Sequence, residues 1–516
     1  MNKMMESPDI FWIVTDEHRC DGIGAYGNPW IKTPNLDRLA ENGVLFERTY
    51  CQTPACVASR VSFKSGWYSH KTGNMWFEKT PDNIPYFIDY LKNAGYKTVN
   101  LGKEHHNRPT SPFEDSLFKD VDETTGFRIE GTPAKIGERF IHMEEELGVL
   151  HRYTVPDKPL IVAGTNPLPA EKAEAAFLVD HAIDYLKDFN AQQPIMLRIS
   201  VLYPHTPVLP PKPYDTMYNP EDMVLPTDGK ESVGRTEFEL KGLSVYGNVE
   251  GMQDAEIKKM RAHYYGLCSY VDNEIGRFID YLEKNWNRPY LIVFNADHGN
   301  LLGEYGLHEK FCMYENAVRV PFIISGHGIP KGKRISKLVE LVDLAPTLMN
   351  VTNVGIREEM GFQGRDLLPL IENESIAWRD AAFTEYQPMH IGDMMMFPAL
   401  KEFAYTEIEG KRGLEFTRLE AIAKEKGLDI KTMDNAPEGS KYRFWRPIFK
   451  SIRTDRYVLT VRATWVDGQG DDLMGSLHDL EKDPFELVNR FEDSEYAEIR
   501  RLLLDKLKDW DMKTSI

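Results

Sequence analysis

Ile10-Phe11-Trp12-Ile13-Val14, closed by Asp16-Glu17, decides how the rest of the chain is read. An unbroken apolar run of this length is expected of a strand buried on both faces, as in parallel sheets covered by helices. The pattern recurs. Lys97-Thr98-Val99-Asn100-Leu101 runs into Gly102-Lys103-Glu104-His105, residues 195–201 end near Pro204-His205, and Tyr290-Leu291-Ile292-Val293-Phe294 ends at Asp297-His298-Gly299. Helical segments alternate with these runs. One starts at Thr33-Pro34 and stops at Gly43, with a cap residue, Pro in the first turn and Gly past the end. Others cover residues 84–93, the stretch after Ala170, and residues 254–285. The alternation predicts an α/β fold, one large and mostly parallel sheet sandwiched by helices. After residue 375 the texture changes: strand-like pieces at 382–386 and 451–462 surround a charged segment at 407–440, and a helix over 496–510 closes the chain. The expected organisation is an α/β domain over 1–375 and a smaller α+β subdomain over 376–516.

The formal net charge of −18 argues against a broad nucleic-acid-binding face, which needs clustered Lys and Arg, but leaves room for a small anion in a local basic pocket. The five cysteines, Cys20, Cys51, Cys56, Cys268 and Cys312, have neither disulfide-framework nor zinc-ribbon spacing. Apart from Cys56 they read as small buried hydrophobes. No run approaches transmembrane length, and the first apolar run is too short for a signal core and ends in acids. The expectation is a cytoplasmic protein with no membrane partner.

Four polar clusters follow strand ends: Asp16-Glu17, Lys103 with His105, His205, and Asp297-His298. In open α/β sheets the carboxyl ends of the strands line the ligand crevice, so these distant clusters are expected on one rim. Paired carboxylates with an imidazole suit a divalent cation. Lys103, His105, His205 and Lys310 are cationic donors for charge developing on an anionic ester. Into this falls Cys56-Val57-Ala58-Ser59-Arg60, with Ser65-Gly66 close behind. Cys56 sits after Pro54 near an expected helix start, where the helix dipole lowers a thiol pKa. Arg60 follows one turn on, on the same face. On physics alone Cys56 is a thiolate nucleophile or a buried structural cysteine.

Cys56 to Arg60, with Ser65-Gly66 and His70-Lys71-Thr72-Gly73, resembles the maturation signature of type I, formylglycine-dependent sulfatases of the alkaline phosphatase superfamily. Gly102-Lys103-Glu104-His105 is similar to the family's second signature. Asp297-His298-Gly299 through Gly303-Glu304 to Lys310, with Tyr314-Glu315 and Arg319-Val320-Pro321, resembles its metal and sulfate segment. Residues 342–347, 364–369 and 479–484 are further landmarks. The resemblance implies an alkaline-phosphatase-like fold in which Cys56 becomes formylglycine, whose hydrate attacks sulfur and then collapses to the aldehyde, expelling sulfate. It implies that Asp16, Glu17, Asp297 and His298 hold a divalent cation, usually calcium, with manganese or magnesium as the alternatives, together with that hydrate. Arg60, Lys103 and His105 would steady the hydrate and ester oxygens, Asp297 would act as base, and His205 and Lys310 would contact sulfate and protonate the leaving alcohol. Several positions depart from the family pattern. Ala58 stands for a common proline, which bears on the maturation route. Glu17 stands for Asp and Glu104 for an aromatic. His298 draws preference from calcium towards manganese. Tyr305 occupies a usual histidine position while His308 appears near Lys310, as a substrate-side donor or a surface histidine.

The implied function is hydrolysis of a sulfate monoester, with a sulfated mono- or oligosaccharide as expected substrate and a formylglycine-generating enzyme as maturation partner. A phosphonate monoester or phosphodiester hydrolase with the same nucleophile is the alternative, and a non-catalytic anion-binding relative the third reading. Trp30, Trp76, Phe77, Trp445 and Trp465 are candidates for stacking on sugar rings, and Met394-Met395-Met396-Phe397 with His390 for lining a pocket or packing the subdomain joint.

Overall fold

The computed structural model describes residues 7–76, 79–117, 145–155, 158–226, 249, 251–387, 448–463 and 475–515. Phe77, His390, Met394 to Phe397, the charged segment 407–440, Trp445 and Trp465 lie outside these residues.

The run that begins at Asp9 is the middle of the molecule. Strand β1 (Asp9–Thr15) is buried along its whole length. Ile10, Trp12 and Val14 point into one apolar cluster, while Phe11 and Ile13 point into another on the opposite face. The first cluster is completed by helices α2 (Cys56–Ser65), α3 (Phe87–Asn93) and α6 (Leu344–Val351), the second by α1 (Pro34–Glu41), α4 (Glu174–Asp188) and α5 (Asp254–Asn285). Burial on both faces is why the run is apolar without alternation.

Around β1 stand β2 (Gly43–Tyr50), β3 (Lys97–Gly102), β4 (Asp115–Leu117), β5 (Ile195–Val201), β6 (Tyr290–Ala296), β7 (Arg319–Gly326) and β8 (Lys333–Glu340), in the order β8-β2-β7-β6-β1-β5-β3-β4. All run parallel except β7, which is antiparallel to both its neighbours. The expected mostly parallel sheet between helices is therefore present. The sequence reading passed over β2, β4, β7 and β8. Pro321 lies inside β7, where the register with β2 shifts between Val320 and Phe322. Proline is tolerated in a sheet at such irregularities, because there a missing N–H breaks no regular ladder bond.

The predicted strand over 451–462 is two strands. The second sheet is antiparallel: β9 (Ala382–Tyr386), β10 (Phe449–Arg453), β11 (Tyr457–Arg462) and β12 (Gly475–Asp479). Helix α7 (Ala497–Thr514) packs on it through Leu503, Leu507 and Trp510. Among the described residues no helix is long and apolar enough to cross a membrane.

Candidate active site

Four adjacent strands, β3-β5-β1-β6, deliver their C-terminal ends to one place. Lys103 follows β3, His205 lies beyond β5, Asp16-Glu17 follow β1, and Asp297-His298 follow β6. Cys56 arrives from the side as the first residue of α2, every residue of which is buried. Its Sγ lies 3.1 Å from Lys310 Nζ, 3.2 Å from His298 Nε2 and 3.8 Å from Asp16 Oδ1. A helix N-terminus was expected to favour a thiolate. Instead burial pushes the thiol up, with Asp16 adding to the effect and Lys103 and Lys310 opposing it. As a plain cysteine this residue is held protonated and is a poor nucleophile.

Arg60, one turn along α2 and fully buried, acts on the carboxylates rather than on Cys56. Its Nη2 donates to Asp16 Oδ2 and its Nε to Asp297 Oδ2, both at 2.8 Å. Nη1 donates to Ser200 Oγ at 2.9 Å and to the Lys103 carbonyl at 3.2 Å. Lys103 Nζ adds a second cation to Asp16 Oδ2 at 2.8 Å. Burial works against ionisation of Asp16, but Lys103, Arg60, His205 and Lys310 outweigh it and hold the carboxyl well below the usual range. Ser59 Oγ donates to the Asp297 carbonyl at 2.6 Å.

The site residues fit a divalent cation. Ligand atoms of Asp16, Cys56, Asp297 and His298 all lie within 4.8 Å of one another. Burial lowers the His298 pKa, so the imidazole is neutral, the form that binds metals. Its Nδ1 lies 3.0 Å from the Gly299 carbonyl, which takes the Nδ1 proton and leaves Nε2 with its lone pair facing the cluster. Gly299 is required here: a Cβ on it would stand 1.9 Å from the Asn316 carbonyl oxygen.

Glu17, expected among the ligands, lies with Asp16 and His205 in a second group whose ligand atoms fall within 4.8 Å of one another, and it also has polar and cationic neighbours. Oε1 pairs with the Lys310 ammonium and lies 3.2 Å from His205 Nε2. Oε2 accepts from Asn300 Nδ2 at 2.9 Å and from the Thr206 amide at 3.3 Å. Burial pushes Glu17 upward and Lys310 opposes it; with these donors converging on its oxygens, the carboxylate is the form this pocket solvates. Burial disfavours charge on Lys310, but the carboxylates of Glu17 and Asp16 beside it favour the ammonium and its pKa is raised. His308 is fully buried, with Nε2 3.5 Å from Thr206 Oγ1, which excludes the surface reading. His105 is half-buried two residues past Lys103, with its backbone at φ 36°. Tyr305 stacks on Tyr314 at 3.9 Å and donates to the Phe485 carbonyl, a packing role. Trp76 is buried against Phe311 and Tyr386, so it is core, whereas Trp30 is 64% exposed.

Sequence reasoning missed Ser59, Ser200, Asn300 and Thr206, the residues that orient the charged groups. Asn300 carried the best signal, a polar residue three places after Asp297 and directly before the apolar pair Leu301-Leu302. A cavity of about 690 Å³ lined by Ser7, Tyr96, Pro194 and Arg288 lies at the N-terminal ends of the same strands, the end of the sheet opposite this chemistry.

Residues 8–354 match the Sulfatase family model. An arylsulfatase of Clostridium perfringens is 29% identical over 401 residues, covering 73% of this chain and 81% of the relative. Two solved structures share the fold. The phosphonate monoester hydrolase of Agrobacterium radiobacter superposes with a TM-score of 0.71 at 21% identity, covering 98% of this chain and 96% of that one. BT4656, solved in complex with its substrate D-glucosamine-2-N,6-O-disulfate, gives 0.69 at 20% identity, covering 99% and 98%.

Proposed function

We propose, for a chain that belongs to the sulfatase family and hydrolyses sulfate esters, that Cys56 carries the nucleophile after conversion to formylglycine. One observation carries this reading. Cys56 sits fully buried at the meeting point of Lys310, His298 and Asp16, in surroundings that suppress a thiolate and are set up to serve an oxygen nucleophile. Formylglycine supplies a hydrate with one oxygen to attack sulfur and another to expel sulfate, splitting one hard step into two. Asp16, Glu17, Asp297 and His298 are the residues that would hold a divalent cation beside it. A cation there supplies Lewis-acid stabilisation of developing negative charge. Calcium follows from the family resemblance, while the imidazole of His298 draws the preference towards manganese.

The chain's own residues then divide the work. Arg60 fixes the two carboxylates. Asp297 is the base for the attacking hydroxyl. Lys103 and Lys310 offset charge on the ester oxygens, and His205, 3.0 Å from Lys310 Nζ, is placed with it to hand a proton to the leaving oxygen. The substrate we infer is a sulfated mono- or oligosaccharide; the bound glucosamine disulfate of the structural neighbour supports that class. A formylglycine-generating enzyme is the implied partner.

Mass spectrometry of the Cys56 peptide, from a host able to mature the site, tests the nucleophile. An unmodified thiol in fully active protein would sink it. A screen of sulfated sugars for release of inorganic sulfate tests the substrate class. The likeness to a phosphonate hydrolase makes that activity the competing reading, and faster turnover of aryl phosphonate than of aryl sulfate esters would reverse the ranking.

A further inference from the structure

Two charged side chains that the reaction does not touch lie fully buried beneath the site. Arg198 stands in the middle of β5, and Lys64 in the last turn of α2. Burying a charge is costly unless its hydrogen bonds are met, so a guanidinium inside a sheet marks a position that something else depends on. Arg198 pairs in register with Trp12 of β1 and Asn100 of β3, and shares with them the face covered by α2. Its guanidinium carbon lies 5.3 Å from the Trp12 ring centre and 4.8 Å from that of Phe113. Two residues on, on the same face of β5, Ser200 accepts from Arg60. Arg198 is thus one side-chain layer below Arg60.

What these side chains hold is backbone. Arg198 Nη2 donates to the Lys103 carbonyl at 3.3 Å, the same oxygen that receives Arg60 Nη1 at 3.2 Å. Lys64 Nζ donates to the next carbonyl, that of Glu104, at 3.1 Å. The Lys103 amide is tied to the Ser200 carbonyl at 3.0 Å. β3 hands over to Lys103 through Gly102 at φ 89°, a residue type with little conformational preference of its own, so the direction of Lys103 is set by what grips its peptide groups.

The anion that answers Arg198 is Glu104, reached through neutral side chains. Arg198 Nε donates to Asn100 Oδ1 at 2.8 Å, Asn100 Nδ2 to Ser116 Oγ at 3.2 Å, and Ser116 Oγ to Glu104 Oε2 at 2.8 Å. Ser111 Oγ and His106 Nε2 fill Oε1. Burial disfavours the Glu104 carboxylate, but His106, Lys64 and Ser111 outweigh it and hold the carboxyl well below the usual range.

We propose that Arg198 is a positioning residue for the reaction: with Lys64 and the Asn100–Ser116–Glu104 relay it fixes the Lys103–Glu104 backbone, and through it the Lys103 ammonium, which stands 2.8 Å from Asp16 Oδ2. This rests on the reading that Lys103 offsets charge on the ester oxygens.

The test is a double-mutant cycle on the matured, full-length protein, with kcat/KM measured on para-nitrophenyl sulfate and bound metal by elemental analysis. Arg198→Met is expected to keep wild-type metal content and to lose roughly tenfold in kcat/KM. In a Lys103→Ala background the same substitution is expected to cost less than about twofold, because the ammonium it positions is gone. Arg198→Lys, whose ammonium cannot reproduce the fork that spans Asn100 and the Lys103 carbonyl, is expected to restore little. An equal loss in both backgrounds is the mark of general structural damage and overturns the proposal, as does full activity in Arg198→Met. Full activity in Lys103→Ala overturns the role of Lys103 first and this proposal with it, which keeps the two failures distinct. Should Arg198→Met fail to fold, Ser116→Ala breaks the relay at a half-buried position. A smaller loss that vanishes without Lys103 is then expected, and an equal loss in both backgrounds, or none, overturns the proposal.

Discussion

Arg60 shows how much one buried side chain carries. Its planar fork spans Asp16 and Asp297, two carboxylates from different strands that would otherwise repel each other in a dry site. Removing one partner of a buried ion pair costs about 3–5 kcal/mol, because the other charge is left uncompensated. Arg60→Ala is therefore expected to destabilise the protein by at least that order and to lose bound metal, measured by chemical denaturation and elemental analysis. Arg60→Lys should rescue little, since an ammonium cannot reproduce two fixed, diverging donors. At this scale the sequence was informative about which residues matter and less so about what they touch. The spacing of Cys56 and Arg60 put both on one helical face, but not which carboxylates Arg60 would reach. Glu17 beside Asp16 was legible as a candidate ligand, but not its left-handed φ or its contact with Lys310. Ser200 and Asn300 went unread because a single serine or asparagine in a strand or loop has many ordinary uses.

Helix α4 carries an expectation of its own. Its first residue, Glu174, accepts from the Leu202 amide at 2.9 Å, which ties the helix to the chain just ahead of the Pro204-His205 turn. Burial pushes its pKa up to about 8, against the lowering effects of the Leu202 amide and Lys103. Its Oε2 is buried without a hydrogen-bond partner among the described residues. The folded protein thus holds a proton that the unfolded chain releases near pH 4.5. Between these values the native state binds more protons, so this group makes stability fall as pH rises, by about 1.4 kcal/mol per pH unit. Glu174→Gln removes the titration. Its stability relative to wild type should be near unchanged at pH 5 and rise steadily to pH 8 in denaturant titrations; parallel curves would contradict this. Elements were legible where composition and period agreed. The strands β1, β5 and β6 are largely apolar and α5 is long and periodic, while β3, with Lys97, Thr98 and Asn100, was legible from the Gly95 that ends the helix before it. β7 was not read as a strand because Pro321 argues against one, and β8, Lys333–Glu340, because four of its eight residues are charged.

At the scale of the molecule, the second sheet is joined to the first at the segment that leads into Cys56. Glu385 N donates to the Gln52 carbonyl at 2.8 Å, and Thr384 Oγ1 to the Cys51 carbonyl at 2.9 Å. Across the same joint Lys450 Nζ pairs with Glu385 and with Asp511 of α7, each at 2.7 Å, while His70, just past α2, pairs with Glu385 at 2.9 Å. Burial disfavours charge on Lys450, but Glu385 and Asp511 outweigh it. A change of texture near residue 375 marks a change of sheet, yet these contacts tie the two sheets together across a buried joint. The wild-type protein should unfold in a single transition whether followed by far-ultraviolet circular dichroism or by residual activity. Lys450→Met leaves Glu385 and Asp511 without their shared cation and should lower global stability by about 3–5 kcal/mol. Activity should be lost in step with the whole fold, because the backbone anchored by Glu385 is the backbone that sets Cys56 at the start of α2. Early melting of the C-terminal sheet alone, with activity persisting to the wild-type midpoint, would instead show the joint to be a passive contact.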